Sequence, residues 1–186
     1  MKTLLVLALM LGAATGALAD PITGKEAKRL LFSPKGVEAL ARPEAGLSKQ
    51  DQAVLASVAG TQPYYGAIAV SPDEGLMSEA TVAAANFHDT AAAEVVALAE
   101  CNAKKTGAAA CVIAALLLPK GWEPRDILLS QDATAGFRAD YAGKGAALAV
   151  SAGTGAWGIG PGPDAALAAC AGAEAAVEDC AVLIAD

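Results

Sequence analysis

The stretch that decides the fold is ALAECNAKKTGAAACVIAALLL, residues 97–118, in which nine residues separate two cysteines. A second stretch, ALAACAGAEAAVEDCAVLIA at 166–185, repeats the order of helical segment, cysteine, nine residues, cysteine and apolar run. Upstream of each lies a matching strand pattern, AIAVS at 67–71 and ALAVS at 147–151, with a glycine four residues later. This shared order predicts an internal repeat of strand, turn, strand, helix, cysteine loop and strand.

Strands joined by tight turns, with one helix and one further strand in each unit, predict an α+β fold. We expect two strand-turn-strand-helix-strand repeats, at about 65–118 and 145–186, that form a mainly antiparallel sheet with helices on one face. The individual strands are predicted at 66–71, 80–87, 126–130, 147–151, 156–159 and 181–185, and one more strand begins at residue 111. The helices are predicted at 90–101 and 130–141, and a third begins at Pro163.

Residues 20–63 are predicted to form an N-terminal helical segment before the disulfide-stapled domain at 64–186. Thr23-Gly24-Lys25-Glu26 has the form of a capping box, and Ser48-Lys49-Gln50-Asp51 begins a second amphipathic stretch that reaches about Ala59. The residues expected to interrupt the segment between these two helices are Pro34, Pro43 and Gly46.

The first 19 residues have the three parts of a secretory signal peptide. Met1-Lys2-Thr3 is basic, an apolar run follows from Leu4 to Gly12, and Ala17-Leu18-Ala19 supplies the small residues of a cleavage site. The apolar run is shorter than the about 20 residues of a membrane helix. The pattern predicts a periplasmic or secreted protein that begins at Asp20 and has no membrane span in the mature chain.

The charge balance argues against polyanionic partners. The whole sequence has a formal net charge of −7, and loss of Lys2 with the signal peptide makes the mature chain more acidic. An acidic, alanine-rich chain of this kind repels nucleic acid and anionic lipid. We therefore expect no nucleic-acid partner.

An even number of cysteines in an exported chain favours disulfides. Four cysteines allow three pairings, and the repeat selects Cys101 with Cys111 and Cys170 with Cys180. A metal site that uses all four is the alternative. Zinc ligands usually occur in pairs two to four residues apart, so a spacing of nine fits poorly.

The repeat also resembles a known family. The strand Tyr65–Ser71, the helix that ends at Cys101 and the strand after Cys111 resemble the bacterial secreted domain-of-unknown-function family 4189. The likeness covers about 65–115 well and 145–186 more weakly, as for a tandem pair with a degenerate second copy. The resemblance implies no activity and no functional residues.

Two short motifs are typical of enzymes but lack the required context. Residues 153–158 spell G-x-G-x-x-G after a predicted strand, yet Gly160-Pro161-Gly162-Pro163 prevents a helix from opening at the third glycine, so we expect a hairpin loop. The A-x-S-x-G pattern around Ser151 resembles a nucleophile elbow, which needs a histidine later in the chain. The sequence has one histidine, His88, and it lies upstream.

His88 and Asp89 are the weak candidates for acid–base catalysis. Histidine titrates near neutrality and a carboxylate can orient it, but helix capping already explains Asp89. The acidic residues Asp73, Glu74 and Glu79 lack the ligand spacing of a calcium loop, so a solvated turn is expected. We predict no metal and no cofactor.

Aromatic residues offer the remaining signal for function. Tyr64, Tyr65 and Trp157 could form a partner-facing patch, although packing in the core or at a strand edge is the simpler interpretation. We expect a non-enzymatic exported accessory protein that binds an envelope or secreted protein. The alternative is a small periplasmic enzyme, such as a hydrolase, that uses His88 with nearby carboxylates. The sequence indicates no oligomeric state.

Overall fold

The computed structural model describes residues 20–174 and 177–186 of the chain. The predicted signal peptide at 1–19 lies outside the described residues. The helices are α1 (Gly24–Leu30), α2 (Lys49–Ala59), α3 (Thr90–Lys104), α4 (Gln131–Asp140) and α5 (Pro163–Ala171). The strands are β1 (Val37–Ala41), β2 (Gly66–Val70), β3 (Val82–Ala84), β4 (Val112–Pro119), β5 (Ala147–Ser151), β6 (Trp157–Gly160) and β7 (Cys180–Ala185).

The first sheet has the strand order β1-β4-β2-β3, and each neighbouring pair is antiparallel. Its strand β2 is buried along its whole length. Helix α3 packs on one face with Ala93, Ala97 and Cys101, which recur every four residues on one side of the helix. Helix α2 packs on the opposite face through Leu55 and Ala59.

The second sheet has the order β6-β5-β7 and is also antiparallel. Helix α5 covers one face with Ala166 and Cys170. Helices α1 and α4 cover the other face, where Phe137 packs in one cluster with Leu148 and Ile184. The chain thus has one helix-covered sheet for each predicted unit.

The predicted α+β class with antiparallel strands is confirmed. The strands form two sheets, where one was expected, and the helices of the two repeats, α3 and α5, each cover one face of a sheet. The opposite faces are covered as well, by α2 in the first sheet and by α1 and α4 in the second. Both sheets are therefore buried between helices on two sides, which explains why β2 and much of β5 are apolar without alternation.

The two units share strand order and register. In each sheet the AIAVS or ALAVS strand lies between the strand that follows it and the strand that follows the second cysteine. The pairing shifts between Ile68 and Ala69 in the first sheet and between Leu148 and Ala149 in the second, at the same place in the two patterns. The descent of both units from one duplicated segment stays a prediction, which a superposition of 66–115 on 146–185 would test.

The predicted disulfide pairing is present in the structure. Cys101 is bonded to Cys111 with a Cα–Cα distance of 6.1 Å, and Cys170 to Cys180 with 6.2 Å. Each bond joins the buried face of a helix to the start of the next strand. The described residues contain no free cysteine, so all four sulfurs are used and the alternative of a four-cysteine metal site is excluded.

Two predictions of local structure are wrong. The segment between α1 and α2 contains strand β1, which extends the first sheet by pairing with β4. Residues 126–130, predicted as a strand, pair with no strand; Ile127 and Leu129 instead enter the core cluster around Phe137. Both errors have the same cause, because strand pairing depends on distant partners that a local pattern does not reveal.

The two disulfides predict similar losses of stability when either one is removed. Replacing both Cys170 and Cys180 by alanine should lower the free energy of unfolding by about 2–3 kcal/mol, since the bond closes a loop of ten residues. The Cys101→Ala, Cys111→Ala pair should cost a similar amount because its loop has the same length. Urea unfolding of the three proteins measures this. A loss below 0.5 kcal/mol for either pair, on the order of an ordinary surface change, would contradict the loop-closure account.

Candidate functional site

His88 lies in the segment between β3 and α3, and its ring is buried at the junction of the two units. The backbone N–H of Ser130 donates to His88 Nδ1 at 3.1 Å. His88 Nε2 lies 2.9 Å from the carbonyl oxygen of Ala156, directly before β6 in the second unit's hairpin. Because a backbone N–H can only donate, Nδ1 carries no proton, and Nε2–H must donate to the carbonyl. His88 is therefore a neutral bridge between three segments of the chain.

Burial lowers the pKa of His88 below its usual value, although the hydrogen bond to Ala156 opposes the shift. A proton can be added only at Nδ1, which would break the hydrogen bond from the Ser130 N–H. The ring thus has no accessible nitrogen with which to take a proton from a substrate. The structure does not place His88 in a cleft.

Asp89, the other catalytic candidate, caps a helix. Its Oδ1 accepts the backbone N–H of Ala92 at 2.9 Å, which confirms Asp89 as the N-cap of α3. The carboxylate is therefore engaged with the backbone of its own helix. The structure gives no catalytic pair of His88 and Asp89.

An asparagine–aspartate pair lies beside the histidine and strengthens the junction. Asn86 Nδ2 donates to Asp132 Oδ2 at 2.9 Å, and the backbone N–H of Asp132 donates to Asn86 Oδ1 at 3.1 Å. Asn86 has φ of 68°, a left-handed conformation that asparagine tolerates better than most residues. This pair joins the loop before α3 to the first turn of α4, which is the same connection that His88 and Ser130 make.

Tyr64 and Tyr65 belong to the core and not to a partner-facing patch. Both rings are buried, and they pack edge to face with centroids 5.2 Å apart. Their hydroxyl groups have no hydrogen-bond partner among the described residues, and burial raises the pKa of both. The simpler interpretation of these two aromatic residues is the one that the structure supports.

The acidic residues of the first turn bind backbone. Glu74 Oε1 accepts the N–H groups of Thr106 and Gly107, each at 2.7 Å, and Asp73 Oδ2 accepts that of Ala109. The hydrogen bonds from the backbone N–H groups of Gly107 and Thr106 lower the pKa of Glu74. Glu79 is exposed. The turn after β2 is thereby tied to the loop between the first two cysteines.

In the second unit the turn and the cysteine loop are also joined, but here the carboxylate belongs to the loop and the donors belong to the turn. Asp179, in the loop between its cysteines, accepts Ser151 Oγ–H at 2.5 Å and the N–H of Gly153 at 2.8 Å. The bond from Ser151, followed by that from Gly153, lowers the pKa of Asp179. Ser151 is consequently a structural donor, and the G-x-G-x-x-G stretch at 153–158 comprises part of the hairpin loop between β5 and β6 and the first two residues of β6. Across 20–174 and 177–186, no three His, Cys, Asp or Glu side chains are grouped so that they could hold a metal ion.

An open groove of about 550 Å³ runs beside β6. Its apolar lining includes Ala146, Trp157 and Ile159, and Asp140 and Lys144 also line it. The indole of Trp157 packs directly on Gly136 of α4, where a Cβ would overlap the ring. A volume of this size is within the range of small-ligand and peptide-side-chain sites. Sequence reasoning named Trp157 but could not find the groove, because its walls, at 140–146 and 157–161, come together only through the packing of α4 against β6.

A second groove of about 500 Å³ adjoins the first and shares Lys144 with it. Lys25, Lys28 and Tyr141 line it, together with Asp186, whose Oδ2 accepts the backbone N–H of Gly24 at 3.1 Å. Within the described ranges, none of the three lysines forms a salt bridge. The two grooves together form a surface with an apolar part and a lysine-rich part.

Comparisons with known proteins give no relatives: no family model matches the chain, and neither the curated proteins nor the solved structures contain a significant match. The resemblance to family 4189 stays a prediction. No helix among the described residues is long and apolar enough to cross a membrane. The two disulfides are typical of proteins from an oxidising compartment.

The buried neutral histidine predicts a pH-dependent stability. Its pKa is lowered in the folded state, so the unfolded chain binds more protons as the pH falls below about 6.5. The contribution of His88 is complete above that pH and is lost as the pH falls toward the folded-state pKa. Between pH 7.5 and 5.5, the free energy of unfolding should therefore decrease, with a limiting slope of about 1.4 kcal/mol per pH unit.

The control for this prediction is His88→Gln. The variant should be less stable than the parent at pH 7.5, because a glutamine cannot reproduce both ring contacts, but its stability should change little down to pH 5.5. Urea denaturation at several pH values provides the comparison. An equal slope in the two proteins would assign the pH dependence to other groups.

Proposed function

We propose that this chain is an exported, non-enzymatic accessory protein that binds a partner through the groove beside β6. The observation that carries the proposal is the groove itself, with Trp157 and Ile159 in its lining and Asp140 and Lys144 beside them. Apolar surface with a few charged groups around it is the usual composition of binding sites. The export pattern at 1–19 and the two disulfides support a periplasmic or secreted location.

The geometry offers less support to the enzyme alternative. A general base needs an accessible nitrogen or oxygen within reach of the substrate. His88 has both nitrogens in hydrogen bonds to backbone, and Asp89 caps α3. A hydrolase in which His88 acts with nearby carboxylates would first have to break these structural bonds. Binding is therefore the function that the arrangement of residues favours.

Site-specific photo-crosslinking in an exporting host tests the proposal. A photoreactive phenylalanine analogue at Ala142, an exposed residue of the groove, should give adducts of defined mass with an envelope or secreted protein. The same analogue at Val95, which is 69 % exposed on α3, is the matched control. Adducts at Ala142 that are no more abundant than those at Val95 would contradict a binding role for the groove.

A further inference from the structure

Strand β6 has a free edge that faces away from its sheet. The backbone N–H of Ser151 donates to the carbonyl of Ala156 at 3.0 Å, which identifies this pair as hydrogen-bonded. Hydrogen-bonded and non-hydrogen-bonded pairs alternate in an antiparallel ladder. In the register of β5 and β6, Gly158 is the next residue bonded to β5, and the N–H and C=O groups of Trp157 and Ile159 point outward. Within 20–174 and 177–186, the N–H and C=O groups of Trp157 and Ile159 form no backbone hydrogen bond other than those of the β5–β6 ladder.

The other three sheet edges carry a charge, are covered, or offer fewer residues than the four of β6. Strand β1 carries the exposed Glu38, β3 is only three residues long, and β7 is partly covered because Ile22 hydrogen-bonds to Leu183 and Ala185. Proteins commonly block strand addition with charges, short strands or covering segments. The sequence of β6, Trp-Gly-Ile-Gly, has no charged residue. Its edge is therefore the one best suited to accept another strand.

The lysines lie at one end of this edge. Residues 144–146 precede β5, whose first residue Ala147 pairs with Gly160, so Lys144 lies near the Gly160 end of β6. Lys25 and Lys28 continue the cationic side in the adjoining groove. The two grooves together are lined by three lysines and by two aspartates, Asp140 and Asp186, and Asp186 already accepts a backbone hydrogen bond. Over the two grooves lysine side chains outnumber carboxylate side chains, in a chain whose net charge is −7, so the lysine side of this surface complements an acidic group.

We propose that β6 binds an extended segment of a partner protein as an added antiparallel or parallel strand. The segment has alternating apolar residues that contact Trp157 and Ile159, and an acidic residue that lies by Lys144 at the Gly160 end. Main-chain hydrogen bonds to the free edge supply affinity, and side-chain contacts supply selectivity, as in other cases of strand addition. The inference rests on the proposed binding function of the groove and names the kind of partner that occupies it.

Fluorescein-labelled octapeptides provide a defined probe. Each peptide has the core Thr-Val-Thr-Val-Thr-Val and carries two further residues at one end. These residues are Asp-Asp or Lys-Lys, and each pair is placed at the N-terminus in one peptide and at the C-terminus in another. An Asp-Asp peptide should bind about fivefold more tightly than its Lys-Lys counterpart, the difference that about 1 kcal/mol of exposed charge interaction produces. Lys144→Glu should abolish this preference, and Lys49→Glu, at an exposed lysine on α2, should leave it unchanged. Absence of binding by every peptide at millimolar concentration, or a preference for lysine, would overturn the proposal.

Two further measurements separate strand addition from other modes of binding. N-methylation of alternate amides blocks one edge of a peptide strand and leaves its side chains in place. One N-methylated series should lose binding while the complementary series keeps it, and hydrogen exchange at the Trp157 and Ile159 amides should slow in the complex. Equal effects of the two series, or unchanged exchange, would overturn strand addition. Crosslinking at Ala142 would still report on the groove as a binding site, so failure of this inference is distinguishable from failure of the proposed function.

Discussion

The imidazole of His88 holds together parts of the molecule that share no strand ladder and no disulfide within the described residues. It accepts a hydrogen bond from Ser130 at the start of α4 and donates one to Ala156 directly before β6. The ring is buried, so water cannot replace it as the hydrogen-bond partner of either backbone group unless the junction opens. The neutral histidine therefore helps to fix the position of α4 relative to β6, together with the Asn86–Asp132 pair and the packing of Trp157 on Gly136.

The groove is a product of the same junction. Trp157 follows Ala156 directly, and its indole packs on Gly136 in the middle of α4. A shift of α4 against β6 would move one wall of the groove against the other. The candidate binding surface and the buried histidine are thus parts of one arrangement, although the histidine takes no part in forming the groove's lining.

Features that depend on neighbours in the chain could be predicted from the sequence. The disulfide pairing followed from the repeat of the cysteine spacing, and the helix starts at Asp89 and Ser48 followed from short motifs whose donors and acceptors are three residues apart. The strand at 37–41 could not be recognised in the same way, because its partner β4 is more than 70 residues away. The failure at 126–130 has the same origin, since Ser130 uses its N–H for His88, 42 residues earlier in the chain.

The candidate site also shows that contacts between distant residues cannot be predicted from local sequence. The sequence places Asp89 next to His88 and so suggests a catalytic pair, yet the true partners of the ring are 42 and 68 residues away and are backbone groups that no side-chain motif marks. The groove is similarly invisible, since Asp140, Lys144 and Trp157 acquire a common surface only when α4 and β6 have packed.

The arrangement of the disulfides has a consequence for biosynthesis. A chain that emerges from its N-terminal end exposes its cysteines in the order 101, 111, 170 and 180, and each native bond joins two that are consecutive in that order. An oxidant that links cysteines as they appear therefore produces the native set directly. When the cysteines meet the oxidant in chain order, the first bond can close before Cys170 and Cys180 arrive, so no mispaired intermediate is required.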